Sequence, residues 1–367
     1  MPENALIVKK VSVGAAILFS LALLVGSFGA VFAADPVQLI TAHPLPGSPF
    51  RVAVEGTGRV WVTLPARNSI GRLVIASSGL PDFREFQLPT AGSQPYDIAY
   101  VAGSIWVSEY VGNKIARFDP VAGTWTEYPI PTLNSKPTGL TVLSGDPIQV
   151  WFCEQASSKL GLLRITATGT IEFVEFPLPW SGAKLENVAA TSSENVWFTA
   201  PGRSLIGQFA LSAWLPPEPG NPDPGNAFGF APTGTGTSPY DIKIDGQGLP
   251  WFTEPSTNRI GRFNPATTTS FEWYRVRTPN SGLTGLDLAL GYAWFTERDS
   301  GRMGRLLKVG YESMVLEQPL PGAAPAPTDI AMGPDGCAWV SASGTGALVS
   351  WCAPYVRQLY LPLVHRK

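Results

Sequence analysis

The residues best suited to chemistry recur behind one tryptophan motif. A short apolar run centred on Trp usually ends in a small hydroxyl residue, and four copies continue into glutamate: Glu109, Glu154, Glu254 and Glu297. Carboxylates bind Mg²⁺ or Ca²⁺ and serve as general acids and bases. Glu254 and Glu297 follow neighbouring copies, so they are the predicted pair if a metal binds. The reading we favour is structural: each Glu accepts backbone N–H groups or pairs with an arginine of its own hairpin, namely Arg72, Arg117, Arg262 or Arg305.

Histidine and cysteine are too scarce to build a typical transition-metal site. The chain has two His and three Cys, whereas structural zinc sites take four such ligands. His43 and His365 both lie in terminal segments, where we expect exposed or outer-strand positions. No cofactor is firmly implied, and Mg²⁺ or Ca²⁺ is the only candidate.

The elements that position these residues must come from a large, turn-rich core. Of 367 residues, 44% are apolar and 15% charged, with 38 Gly and 35 Pro. This composition excludes general disorder and indicates many short elements. The formal net charge of −2, without a long basic run, gives no footprint for nucleic acid.

The first 33 residues read as a secretory signal peptide. Lys9 and Lys10 precede an uncharged stretch that ends in the small-residue pattern around Ala33. The alternative is an uncleaved anchor, because such a stretch is long enough to span a bilayer. We therefore expect a secreted, periplasmic or cell-surface protein, with a membrane partner only if the segment is uncleaved.

The tryptophan motif is a repeat that predicts the architecture. Its copies are centred on Trp61, Trp106, Trp151, Trp197, Trp251, Trp294 and Trp339, spaced 45, 45, 46, 54, 43 and 45 residues apart. A period in the forties with several short β-rich runs is typical of a β-propeller. We predict an all-β fold, a seven-bladed propeller of four-stranded antiparallel blades over residues 37–362, with a short tail at 363–367. The Trp side chains should pack between blades.

Each repeat opens with the innermost strand of a blade. Antiparallel order places these openings and the ends of the Trp strands on one face of the propeller. That face should form a central mouth, whose candidate ligand-binding residues are Phe50, Tyr96, Thr138, Glu186, Tyr240, Thr284 and Thr328. The Asp and Asn residues beside them could also supply oxygens to a calcium ion, although no spacing singles them out.

Ring closure, one insertion and one disulfide can also be predicted. Residues 38–46 and 357–362 both resemble outer strands, so one of them should complete the seventh blade. The 54-residue spacing places an insertion at about residues 212–225, between the third and fourth strands of blade four. Cys337 and Cys352 are equally far from the turn at 343–346, which predicts a cross-strand disulfide. Cys153 should be a buried small residue.

The repeat resembles that of the virginiamycin B lyase (streptogramin lyase) family. The resemblance rests on Trp251-Phe252-Thr253-Glu254 with Ile260-Gly261-Arg262, and on Trp294-Phe295-Thr296-Glu297 with Met303-Gly304-Arg305. It implies a seven-bladed propeller that opens the lactone of type B streptogramins by elimination, with a glutamate-held Mg²⁺ and a histidine base at an inner-strand opening. No His occupies any of the seven openings here; those ahead of Glu109, Glu254 and Glu297 carry Tyr96, Tyr240 and Thr284.

Three functional hypotheses follow. The favoured one is a non-catalytic module that binds a small molecule, glycan or protein at the mouth, as a monomer. A second is a Mg²⁺-dependent lyase acting on a cyclic ester, or a lactone hydrolase, which the missing histidines argue against. A third is a structural or protein-interaction propeller, and the sequence does not separate it from the first.

Overall fold

The computed structural model describes residues 39–76, 78–179, 181–213, 228–266, 271–309 and 312–352. The predicted signal peptide, the tail at 363–367 and the outer-strand candidate at 357–362 lie outside these residues. The chain divides into two units, and Val37–Lys367 is the one that contains every described strand. No helix in the described ranges is both long and apolar enough to cross a bilayer.

Seven four-stranded antiparallel sheets make up the described structure, as predicted. The closing strand and the first three blades are β1 (Leu39–Pro44); β2 to β5 (Val52–Val54, Val60–Leu64, Ser69–Ile75, Pro81–Gln87); β6 to β9 (Pro95–Val101, Ser104–Glu109, Lys114–Asp119, Thr124–Pro129); and β10 to β13 (Pro137–Leu143, Ile148–Glu154, Lys159–Ile165, Ile171–Pro177).

The remaining four blades follow the same order from the axis outwards. Their strands are β14 to β17 (Val188–Ser192, Asn195–Ala200, Leu205–Phe209, Phe228–Pro232); β18 to β21 (Ile242–Ile244, Pro250–Glu254, Arg259–Phe263, Phe271–Arg275); β22 to β25 (Leu283–Ala289, Tyr292–Glu297, Arg302–Val309, Glu312–Pro319); and β26 to β28 (Pro327–Met332, Cys337–Ala342, Ala347–Cys352). Short 3₁₀ turns span Pro65–Arg67, Pro201–Arg203, Leu211–Ala213 and Pro255–Thr257.

The N-terminal segment closes the ring. Strand β1 pairs antiparallel with β28 over six residue pairs, from Leu39 opposite Cys352 to Pro44 opposite Ala347. It thereby becomes the outermost strand of blade seven, whose other three strands come from the C-terminal end of the repeats. Of the two predicted candidates, the N-terminal one completes this blade.

The core consists of seven apolar clusters, and each contains one motif tryptophan. Trp61 of blade one packs with Ile98 and Val107 of blade two, and Trp339 of blade seven packs with Val52 and Val62 of blade one. The other five clusters repeat this arrangement. The prediction that the Trp side chains lie between blades is confirmed. Burying a large aromatic side chain contributes a few kcal/mol, so these residues hold the ring together.

The disulfide and the insertion lie where the repeat placed them. Cys337 and Cys352 face each other across β27 and β28 and are bonded, with their Cα atoms 4.2 Å apart. The extra residues of blade four fall between β16 and β17, and residues 214–227 of that connection lie outside the described ranges.

Candidate functional site

The mouth is built from irregular openings of the innermost strands. In four blades the ladder between the first and second strands shifts register near its start, as between Pro95 and Ile98 in blade two or Leu283 and Leu286 in blade six. Such bulges bend a strand and redirect its side chains. Two residues are thereby released from regular pairing in blades two, three and six, and one, Thr328, in blade seven. The second and third residues of the openings form two layers at the mouth.

The lower layer comes from the third residue of each opening. Around the ring these residues are Arg51, Asp97, Gly139, Asn187, Asp241, Gly285 and Asp329. The aspartates tie neighbouring blades together: Asp97 accepts from Leu140 N at 2.8 Å, Asp241 from Leu286 N at 2.7 Å and Asp329 from Val52 N at 2.9 Å. At Gly139 an added Cβ would lie 2.3 Å from Asn187 Oδ1, so the strands approach too closely there for a side chain.

Arg51 is the one basic member of this layer and occupies the centre of the site. Its side chain is 1% exposed, and its guanidinium carbon lies 5.3 Å from the ring centre of Phe50, 5.7 Å from that of Tyr96 and 5.3 Å from that of Tyr240. Guanidinium groups at this range are attracted to aromatic faces. Three rings that the sequence places far apart therefore converge on one buried cation.

Carboxylates surround the same guanidinium. Its nitrogens lie 3.7 Å from Glu186, 4.0 Å from Asp241 and 3.7 Å from Asp329. Glu186 also accepts the Tyr96 hydroxyl and, at 3.1 Å, the side-chain amide of Gln155. The blades that carry these groups lie around the whole ring, so Arg51 links them across the axis.

The aromatic surface continues outwards over blade two. Tyr96 forms an edge-to-face pair with Phe50 at 4.9 Å between ring centres and stacks on Tyr110 at 5.7 Å. Tyr110 donates its hydroxyl to Gln155 at 3.2 Å, and the Lys136 ammonium lies 5.0 Å from the Tyr110 ring centre. All five side chains are half-buried, so the rings keep an accessible face. The hydroxyl groups of Tyr96 and Tyr110 are fixed by their hydrogen bonds.

The three threonines predicted at the mouth are buried and bonded within the ring. Thr138 donates to Leu185 O at 3.0 Å, Thr284 to Pro327 O at 3.1 Å and Thr328 to Phe50 O at 2.6 Å. Each bond joins one blade to the next. Of the seven predicted mouth residues, Phe50, Tyr96 and Tyr240 therefore offer accessible ring surface, Glu186 supports them, and the threonines connect blades.

Burial and charge perturb the titration of this cluster. Burial acts to lower the pKa of Arg51, but Tyr240 and the carboxylates outweigh it and the pKa is raised. Burial raises the pKa of Glu186 and of Asp329, although Arg51 opposes both shifts. It also raises the pKa of Tyr240 to about 12 and that of Tyr96 well above its ordinary value. The phenols therefore stay neutral donors near pH 7.

The glutamates behind the tryptophan motif lie in the hairpin turns. Glu254 accepts from Ser238 N at 2.6 Å, Ser256 Oγ at 2.8 Å and Thr257 N at 3.0 Å, and also from the Thr257 hydroxyl. Both of its oxygens are thus occupied, which fits a capping carboxylate and not a metal ligand. Glu297 accepts from Ser300 Oγ at 3.0 Å and lies 4.0 Å from Arg302.

Glu109, Glu154 and Glu297 differ from Glu254 because they are buried with few donors. Oε1 of Glu297 has no hydrogen-bond partner, and burial, with the nearby charge of Glu317, raises the pKa of Glu297 to about 7. Neither oxygen of Glu109 has a hydrogen-bond partner, nor has Oε1 of Glu154. Burial, with the nearby charges of Glu127 and Glu175, raises the pKa of each to about 7. Within the described part of the chain, no three His, Cys, Asp or Glu side chains are grouped closely enough to hold a metal. A metal at Glu254 and Glu297 stays a prediction.

The repeated arginines do not pair with the glutamates that follow the tryptophan motif, so the expected pairing was wrong. Arg72, Arg117, Arg262 and Arg305 each lie over the Trp ring directly across the hairpin, with the guanidinium carbon 5.5–5.8 Å from the ring centre. The register explains this, because Trp and Arg are directly opposite in the second and third strands. Cation–π contact therefore accounts for the recurrent arginine.

His43 and Cys153 both occupy structural positions. His43 lies on β1, the outer strand of blade seven, as expected, with its ring 5.3 Å from that of Trp339 and Nε2 3.1 Å from Ser350 Oγ. Burial lowers its pKa. Cys153 is a fully buried free thiol whose pKa burial raises, which suits a small core residue and not a nucleophile. His365 lies outside the described residues.

Arg51, Lys243, Tyr110 and Gln155 are the site residues that the sequence reasoning missed. The signal for Arg51 was available: it is the only basic residue at a position where the other blades carry Asp, Asn or Gly. Lys243 lies two residues below Asp241, and the charges of Asp241, Asp329 and Asp287 outweigh its burial and raise its pKa. Tyr110 and Gln155 lie in the turns after the second strands of blades two and three. No sequence pattern indicated that these turns contribute side chains to the mouth.

The described structure defines a seven-bladed propeller with an aromatic mouth closed from below by a buried arginine. In sequence it is like the virginiamycin B lyases. A model of the Virginiamycin B lyase family matches residues 36–214, and a virginiamycin B lyase of Nocardia farcinica is 32% identical over 118 residues, which cover 32% of this chain and 40% of that protein. The predicted family resemblance is thereby confirmed.

Solved structures agree with this likeness. Virginiamycin B lyase of Staphylococcus aureus superposes with a TM-score of 0.71 at 25% identity, covering 86% of this chain and 99% of that one. A catalytically inactive variant of the same enzyme, crystallised with quinupristin, gives a TM-score of 0.71 at 24% identity over the same shares of the two chains. The second comparison shows the fold alone.

Proposed function

We propose that this protein is an exported, non-catalytic binding module that captures its ligand on the aromatic mouth. The observation that carries the proposal is the convergence of Phe50, Tyr96 and Tyr240 over the Arg51 guanidinium. Rigid rings with an accessible face are typical of ligand-binding surfaces, because they bury much area at little entropic cost. The bond from the Tyr96 hydroxyl to Glu186 and the edge-to-face contact of Tyr96 with Phe50 hold these two rings in place before a ligand arrives.

The chemistry of the mouth supports binding over turnover. Elimination next to a carbonyl needs a base that is unprotonated and poised near neutral pH. The phenols of Tyr96 and Tyr240 have raised pKa values and stay protonated. Glu186 accepts the Tyr96 hydroxyl, and its oxygens are also engaged by the Gln155 amide and the Arg51 charge.

Export is supported by the disulfide and by the predicted signal peptide. A bonded Cys337–Cys352 pair indicates an oxidising compartment. The apolar stretch ahead of Ala33 has the composition of a cleaved leader. A secreted, periplasmic or cell-surface location is the simplest reading of both features. N-terminal sequencing of the mature protein, expected to begin at about residue 34 or 35, tests it.

Quinupristin is the first ligand to try, because a structural neighbour was crystallised with it. We expect calorimetric binding to the purified mature protein that does not depend on Mg²⁺. Tyr96→Ala should weaken this binding about tenfold or more, since truncating an aromatic hot spot costs at least about 1–2 kcal/mol. Tyr100→Ala, on the same strand but at its opposite end, is the matched control and should leave the affinity unchanged.

Two outcomes argue against the proposal. Equal affinity in the Tyr96→Ala and wild-type proteins would place the binding surface elsewhere. Metal-dependent consumption of quinupristin, abolished by Glu186→Gln, would favour the alternative of a lyase or lactone hydrolase with Glu186 as base. Absence of binding across quinupristin, glycans and peptides would leave the third hypothesis, a purely structural propeller.

A further inference from the structure

A glutamate on the outermost strand ties each of three blades to the connection that precedes it. Its carboxylate accepts the backbone N–H and the hydroxyl of one threonine, in the pairs Glu127–Thr90, Glu175–Thr132 and Glu317–Thr278. In blades two and three a lysine at the start of the third strand joins the group, Lys114 with Glu127 and Lys159 with Glu175. These blades thus hold a carboxylate between a threonine and a cation on the mouth side of the propeller.

Blade five carries a tryptophan in place of this glutamate. Trp273 lies opposite Gly261, at the register position where Glu127 lies opposite Ala116. The cation of the third strand remains, as Arg259, and its guanidinium carbon lies 3.5 Å from the centre of the Trp273 ring. The indole attracts the guanidinium through its face, but it supplies no anion.

The threonine of this arrangement is also present in blade five, as Thr235. Thr235 and Thr90 each come two residues after an amide that donates to the hairpin turn of the preceding blade, from Thr233 and Leu88 respectively. Thr235 is exposed. Its N–H and hydroxyl therefore occupy the place where the same two donors meet a carboxylate in blades two, three and six.

A second arginine increases the positive charge at this point. Arg275 lies directly opposite Arg259, whereas the lysines of blades two and three face Pro129 and Pro177. Like charges directly opposite each other are destabilising, and neither arginine forms an ion pair with a carboxylate of the described residues. Burial lowers the pKa of Arg259; the charge of Glu254 opposes that shift and the charge of Arg275 adds to it. Nε of Arg259 is buried without a hydrogen-bond partner.

We propose that Arg259, Arg275 and Thr235 form an oxyanion site, which takes a phosphate or sulfate group where other blades place a glutamate. Guanidinium groups present N–H donors in a planar fork that suits such groups, and Thr235 adds an N–H and a hydroxyl. The site goes beyond the binding proposed for the aromatic mouth, because it uses the outer strands of blade five and none of the mouth residues.

The surroundings of the site also favour an anion. Arg275 lines an open cavity of about 380 Å³ together with Arg277, Ser256 and Thr257, so it is accessible from solution. The described connections on this face of the propeller contain one exposed acidic residue, Asp299. They contain six basic residues: Arg67, Lys136, Lys184, Arg203, Arg277 and Arg298. Such an excess of one charge attracts ligands of the opposite sign.

Calorimetry with inorganic phosphate, at an ionic strength held constant with chloride, should show one site per chain of the mature protein. Saturating phosphate should raise the midpoint of thermal unfolding by about 2–4 °C. Arg275→Pro, which introduces the residue of blades two and three, should weaken binding at least about tenfold. Trp273→Glu restores the internal carboxylate and should abolish binding. Arg298→Gln is the matched control, because this arginine of the same face is already paired with Asp299, and it should bind phosphate like the wild type.

Glycerol 1-phosphate distinguishes the two sources of such a group. Affinity equal to that for inorganic phosphate indicates a site for the free ion, and tighter binding indicates a group carried by a larger molecule; in both cases Arg275→Pro should remove the binding.

Two results would overturn the inference: a wild-type protein that responds to phosphate and sulfate no more than to chloride, or phosphate binding that survives Arg275→Pro unchanged. If Trp273→Glu fails to fold, Arg275→Gln at an exposed position provides the second test, with the same expected loss of binding. These readouts involve no ligand of the aromatic mouth, so they can fail while quinupristin binding stands, and the reverse.

Discussion

Glu109 and Glu154, two of the three buried motif glutamates that lack full hydrogen bonding, should make the protein less stable as the pH rises. The pKa of Glu109 and of Glu154 is raised from 4.5 to about 7 by burial and by a second carboxylate, Glu127 or Glu175. Because the folded pKa exceeds the unfolded one, each group's stabilising contribution is complete below about pH 4.5 and is lost as the pH rises through 7. A shift from 4.5 to about 7 corresponds to about 3 kcal/mol per group as an upper limit.

Replacing both residues by glutamine removes the titration and keeps the shape. We expect Glu109→Gln with Glu154→Gln to match the wild type within about 1 kcal/mol at pH 5 and to be more stable by about 2–6 kcal/mol at pH 8.5. Urea unfolding followed by tryptophan fluorescence at several pH values measures this difference. The variant should have a flatter dependence of unfolding free energy on pH than the wild type.

Glu254 provides the matched control, since it occupies the equivalent position of blade five with its oxygens satisfied. Glu254→Gln replaces an acceptor of Ser238 N and Thr257 N, so it should destabilise the protein by about 1–3 kcal/mol. A double glutamine variant that keeps the pH slope of the wild type would refute the reasoning. So would a double variant that is destabilised as much as Glu254→Gln.

Three further changes test the packing. Replacing Cys337 and Cys352 together by Ala should cost about 3 kcal/mol, because the bond closes a loop of 15 residues; thermal unfolding with and without reductant measures it. Gly161→Ala places a Cβ 2.2 Å from the Phe152 ring and should cost more than about 2 kcal/mol. The equivalent residue of blade two is Ala116, which lies opposite Val107 and already carries that methyl. The urea midpoints of the Gly161→Ala and wild-type proteins measure the cost. Thr253→Val should cost about 1–3 kcal/mol by removing its bonds to Thr284 O and Asp241 N, measured in the same way.

Most of the fold could be predicted because it repeats. Seven copies of one Trp motif predicted seven blades, and the position of Trp61 or Trp339 between neighbouring blades follows from burial alone. The Cys337–Cys352 pair followed from hairpin symmetry, which is local. Ring closure could not be decided, since residues 38–46 and 357–362 have the same outer-strand pattern and the choice depends on which end reaches β28.

The site was harder to predict because its contacts cross the axis. Arg51 meets Glu186 and Asp329, residues 135 and 278 positions away, only once the ring is closed. The mouth threonines looked like ligand-facing groups, yet the bond from Thr328 to Phe50 O shows that a hydroxyl there joins blades. The expected Glu–Arg pairs failed for a simpler reason: hairpin register places Arg262 opposite Trp251, not beside Glu254.

The most direct test is to incubate the mature protein with quinupristin in saturating Mg²⁺ and to analyse the mixture by liquid chromatography and mass spectrometry. We predict that quinupristin is bound and recovered intact, with binding lost in Tyr96→Ala. A ring-opened product of unchanged mass would show elimination, and one heavier by a water would show hydrolysis. Either product, formed catalytically, would contradict the central claim that this propeller binds at its mouth without turnover.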